Sequence, residues 1–207
     1  MGIASGELLL RAGTTLQILA IAYTLGVLIA AAFIIAALAN PWGAALLATL
    51  TAMFNPLPAI ALLWFGLGAP SLIFVTVHAV LWPLALSGLS GMRGVAETQR
   101  MAARNLGLSG VRLVLLILVP AAFPALLSGL RNGWAFAWRT LIAAELVFGV
   151  SSKSGGLGWY IYINRNQLET ANVFAGLLVI ILIGLFIESV IFRTVARRTV
   201  ERWGQQF

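Results

Sequence analysis

From Leu16 to Ala39 the chain runs without a single charged residue. A helix that crosses a bilayer needs about 20 mostly apolar residues, so this run has spanning length. In hydrocarbon every backbone N–H and C=O must be satisfied internally, which leaves helices or closed barrels. Composition says the same of the whole chain: 61% of residues are hydrophobic and only 9% charged. A soluble domain carries about 25% charged residues, and a disordered chain is poor in apolar ones. Both classes are excluded. The chain has no Cys, hence no disulfide, no thiolate metal site and no cysteine nucleophile.

Further apolar runs cover about 42–66, 70–89, 121–149 and 173–192. The second is interrupted by Asn55-Pro56-Leu57-Pro58, where a bend or break is expected. The long stretch from Leu113 to Val150 is too long for one span and too short for two with a turn. Charge resolves it. Arg93–Arg112 and the tail Arg193–Arg202 each carry four Arg, so both are expected on the cytoplasmic side. The chain must then cross an even number of times between them. Val111 to about Val119 is therefore expected as an interfacial helix, followed by one long tilted span. The expectation is an all-α integral membrane protein of about five spans, one domain over 1–207, N-terminus outside and C-terminus cytoplasmic. No cleavable leader is expected, because Glu7 precedes Arg11 and the first apolar run has full spanning length. The net charge of +7 is then mainly an orientation signal, with no nucleic-acid partner implied.

Arg93, Glu97, Arg100, Arg104 and Arg112 fall within 20 residues, the densest charge in the body of the chain, and 95–106 are good helix formers followed by Gly107. A short amphipathic helix between two spans lies on the membrane surface or docks into a partner. Ala102-Ala103, three residues, Gly107, nine residues, Ile117, one residue, Val119-Pro120 resembles the EAA motif of ABC importer permeases. Met101 stands where that family has Glu, and Val119 replaces Leu. The stretches Asn55–Gly68, Pro120–Pro124, Gly129-Leu-Arg131, Ala137-Trp138, Ala143-Ala-Glu145 and Gly156-Leu-Gly158 look like the nitrate/sulfonate/taurine-type permeases. Members usually carry one further N-terminal span, which has no counterpart here.

The resemblance implies the type I ABC importer permease fold. It implies that helix 95–107 is the coupling helix, with Glu97, Arg100, Met101, Ala102, Ala103, Arg104 and Gly107 facing an ABC ATPase. It also implies a second permease copy or paralogue, a periplasmic or lipid-anchored solute-binding protein, and the bacterial inner membrane. The chain has one Lys, Lys153, and no Walker pattern around it, so ATP is expected on the partner ATPase and no cofactor on this chain.

Ionisable residues inside a span are costly and are functional candidates by default. Arg131, Trp138 and Glu145 are spaced by seven, with Trp134 four before Trp138, so they share one helical stripe. Arg139 flanks it, about 80–100° away at roughly 100° per residue. These five residues are the candidates for the translocation path, with pairing of Glu145 to Lys153 or Arg165 as the alternative for that residue. Arg in a path favours an anionic substrate, and the resemblance implies sulfonate, taurine or nitrate. His78 stands alone in mid-span, so a hydrogen-bonded packing role is expected and no metal site. Glu188, near the inner end of the last span, is expected to reach headgroups or pair with an Arg.

Two other classes compete. An ATP-independent secondary transporter or channel predicts inverted repeats and coupling-ion ligands, and neither Asp nor a detectable repeat is present. An intramembrane enzyme needs clustered His or carboxylates, or a base beside Ser or Thr; one His and scattered Glu residues supply none.

Overall fold

The computed structural model describes residues 6–39, 42–54, 68–148 and 155–201, and every regular element among them is a helix. In chain order these are α1 (Glu7–Ala39), α2 (Gly43–Phe54), α3 (Ala69–Arg93), α4 (Glu97–Asn105), α5 (Gly110–Ala121), α6 (Phe123–Phe148), α7 (Leu157–Asn166) and α8 (Thr170–Val200). Among them α1, α3 and α8 are each long and apolar enough to cross a membrane, and the bent pair α5–α6 counts as a fourth. The expected second span is described only over α2; its break at Asn55–Pro58 lies outside the described residues. Helix α1 starts nine residues ahead of its apolar run, and α8 carries on through the basic tail.

The bundle is organised around α3. Its most apolar stretch is 56% buried, against 28% for α1 and 6% for α8. One core cluster joins Ala30 and Ile34 of α1, Leu47 of α2, Leu84, Ala85 and Leu89 of α3, and Val114 and Leu118 of α5. A second joins Leu19 of α1, Leu72 and Val80 of α3, Ala137 and Leu141 of α6, and Leu157 of α7. The pair Gly129 and Gly133 serves this packing. A Cβ on Gly129 would stand 2.9 Å from that of Ser87, and one on Gly133 would stand 3.4 Å from Val80. Small residues let two helix backbones approach closely in a membrane, and here they seat α6 on α3 of the same chain.

Helices α5 and α6 meet at a bend of 77°. Pro120 has no N–H to give the carbonyl of Leu116, and the preceding Val114–Leu118 turn is a π-helix. Pro124 then sits in the first turn of α6, where a missing N–H costs nothing. The chain therefore runs α3, across α4, along α5, and turns sharply into α6.

Candidate coupling helix and translocation groove

Helix α4 has two unlike sides. Met101 is 49% exposed, and Glu97, Ala102 and Arg104 are exposed with it. Ala103 is buried, and Arg100 turns inward, donating from Nη2 to the Met92 carbonyl at 2.5 Å. Glu97 and Arg104 pair at 3.7 Å on the outer side, both mostly exposed, a contact of little energetic weight.

The C-terminus of α4 explains Gly107. The Leu108 N–H bonds the Ala103 carbonyl at 3.1 Å, and the Gly107 N–H bonds the Arg104 carbonyl at 2.9 Å. That pair of bonds is a Schellman cap, which needs a left-handed residue just past the helix. Gly107 supplies it with φ +78°, in open space. Any side chain would cost about 1–2 kcal/mol in backbone strain. Ala102, Ala103, Ile117 and Pro120 line one groove of about 510 Å³ between α4 and α5. The spaced residues of the sequence pattern thus divide between a helix cap, one groove and, for Val119, the core.

A second hollow of about 340 Å³ lies between α6 and α8. Arg131, Trp134, Trp138 and Arg139 line it together with Gly184 and Glu188. Trp134 and Trp138 stack at 5.9 Å between ring centroids, and Tyr23 of α1 meets Trp134 edge-on at 6.1 Å. Arg131 is ion-paired with Glu188 of α8. Arg139 is exposed; its Nε donates to the Ala135 carbonyl of its own helix at 3.0 Å, and its guanidinium lies 5.0 Å from the centre of the Phe136 ring. Sequence spacing therefore brings four of the five candidates to one place, and it missed Tyr23.

Glu145 does not line this hollow. It is 1% exposed, and both carboxylate oxygens accept from the Thr15 hydroxyl at 2.9 Å. The Gly158 N–H donates to it at 2.9 Å, while the Leu157 N–H donates to the Thr15 oxygen at 2.8 Å. Two free N–H groups at the start of α7 are thus capped from α6 and α1. Lys153 lies outside the described residues. His78 Nε2 lies 2.7 Å from the Phe54 carbonyl and 2.8 Å from the Trp82 indole nitrogen. One tautomer donates to the carbonyl and the other accepts from the indole, so only one bond forms at a time. His78 therefore ties α3 to the end of α2.

Helices of spanning length joined by a short amphipathic helix define a multi-pass membrane protein. The chain belongs to the family of binding-protein-dependent transport system inner membrane components, whose model matches residues 22–200. It is 35% identical to the taurine transport system permease protein TauC of Escherichia coli over 141 residues. That alignment takes in 66% of this chain and 50% of TauC, so the chain spans about half the length of that relative. It is 29% identical to the nitrate import permease protein NrtB of Synechocystis, over 67% of this chain and 51% of NrtB. With the glycine betaine/carnitine/choline permease protein OpuCB of Bacillus subtilis it shares 28% identity, over 97% of this chain and 92% of OpuCB.

Proposed function

We propose that this chain is the permease subunit of an ATP-driven importer in a bacterial inner membrane. It crosses the membrane about five times, with its N-terminus outside and its C-terminus in the cytoplasm. The substrate path runs along the α6–α8 hollow, and α4 is the coupling helix. Partners are two ABC ATPase subunits, a second permease copy or paralogue and an external solute-binding protein; ATP is used by the ATPase. The observation that carries the reading is α4, a helix too short to span, exposed on Glu97, Met101, Ala102 and Arg104 and closed by the left-handed Gly107.

Arg139 supports a path. A guanidinium in the middle of α6 would be costly against lipid, so an exposed one belongs beside water, substrate or a partner subunit. A guanidinium also supports a small anion as cargo, such as taurine, another sulfonate or nitrate. A second reading, a quaternary ammonium compound, is favoured by Trp134 and Trp138 in the hollow, since indole faces attract cations. The near full-length alignment with OpuCB supports the same reading.

Gentle purification from native membranes, with identification of the co-purifying proteins, tests the assignment. An ATPase and a solute-binding protein are expected, and binding of taurine, nitrate and glycine betaine to that binding protein separates the two cargo readings. Uptake by the reconstituted chain alone, without ATP, would instead make it a secondary transporter or channel.

A further inference from the structure

Helix α4 is joined to its two neighbours in unlike ways. Toward α5 the joint holds two glycines with positive φ, Gly107 at +78° and Gly110 at +54°, and neither would meet an atom within 4 Å if it carried a Cβ. Such a joint has room to flex. Toward α3 only Gly94, Val95 and Ala96 intervene, and Val95 is buried in the core around α3. Across that short joint Arg100 reaches back to the end of α3. Its Nη2 donates to the Met92 carbonyl at 2.5 Å and lies 3.4 Å from the Arg93 carbonyl, and its Nε is buried without an acceptor. The last carbonyls of a helix lack partners within it and carry the negative end of its dipole, so a guanidinium there is held by charge as well as by hydrogen bonding.

We infer that Arg100 is the positioning residue that carries the ATPase stroke from α4 into α3. This rests on the coupling-helix reading above. The guanidinium ties α4 to the end of α3, so a displacement of α4 pulls directly on α3. α3 is the most buried of the spanning helices and seats α6 through Gly129, so its displacement reaches the hollow beside Trp138 and Arg139. Arg100 thus differs in role from Met101, Ala102 and Arg104, which face outward.

The chain has no Cys, so a single Ala135→Cys in the hollow gives a clean probe. The assembled complex, with its ATPase subunits, is labelled with a polar maleimide in the nucleotide-free state and in a vanadate-trapped ATP state. With Arg100 present, the labelling rate is expected to change several-fold on trapping. In Arg100→Gln that several-fold change is expected to be mostly lost, so that the two states label at nearly the same rate. Arg100→Lys, which keeps the charge and a donating group without the planar fork, should restore part of it. ATPase association and the unfolding midpoint should stay as in the parent in both variants. An Arg100→Gln complex that shows the full ATP-driven change overturns the strap alone. Loss of ATPase association with an unchanged unfolding midpoint also overturns it, by placing Arg100 at the docking face. If the parent complex shows no response to ATP, the coupling-helix reading fails and the strap falls with it.

Discussion

Two charged side chains stand six residues apart on α6 and have opposite surroundings. Glu145 is sealed from solvent and meets Thr15 and the start of α7. Arg139 is exposed, bonds to a carbonyl of its own helix and rests on Phe136. Both are charges inside a span, which sequence reasoning treats as one category. The structure separates them. A satisfied carboxylate at a three-helix junction holds that end of the bundle together. An exposed guanidinium that lines a hollow is placed to meet a solute.

The contrast can be broken or sharpened by substitution. The largest effect is expected from Glu145→Ala, which leaves the Gly158 N–H and the Thr15 hydroxyl without their buried acceptor. A loss of roughly 3 kcal/mol is expected, read as a lower unfolding midpoint and less assembled complex. Glu145→Gln keeps the shape and one acceptor and should lose less. An uptake defect in Glu145→Ala with unaltered stability would move Glu145 into the path. Next comes Arg139→Ala, which should lower uptake about ten- to a hundredfold, the worth of a hydrogen bond to a charged group, with assembly unchanged. Equal loss of uptake and assembly would make Arg139 structural. Tyr23→Phe removes the 2.9 Å bond from its hydroxyl to the Leu130 carbonyl and should cost about 1 kcal/mol in stability. The smallest effect is expected from breaking the Arg131–Glu188 pair, whose side chains are 60% and 34% exposed. In a watered groove Glu188→Gln should change stability by less than about 1 kcal/mol. A loss several times larger would place the pair in hydrocarbon.

How legible these regions were in the sequence follows from how local their causes are. The all-helical class was plain, because apolar runs of spanning length leave few alternatives. Gly107 was legible because its requirement, a left-handed residue at a helix end, depends on its immediate neighbours. Arg131, Trp134 and Trp138 share a hollow because spacings of three, four and seven keep residues on one side of a helix, and Arg139 flanks that side. Glu145 belongs to the same spacing, yet two heptads accumulate roughly 40° of drift on a straight helix. Its partner Thr15 lies 130 positions away on α1, and no local pattern announces that contact. The pairing of Arg131 with Glu188 likewise spans 57 positions. Arg100 was expected on the coupling surface with its neighbours; its inward turn depends on where α3 ends, which no local pattern announces.

The central claim is that α4 couples this permease to a separate ATPase. The most direct measurement is ATP-dependent uptake and ATPase co-purification in Gly107→Asp, set beside Gly107→Ala. Alanine adds only backbone strain of about 1–2 kcal/mol at φ +78° and should leave a working complex. Aspartate adds a charge at the docking end of α4 and should abolish uptake and weaken ATPase association. Gly107→Asp with normal uptake and normal ATPase association would contradict the account.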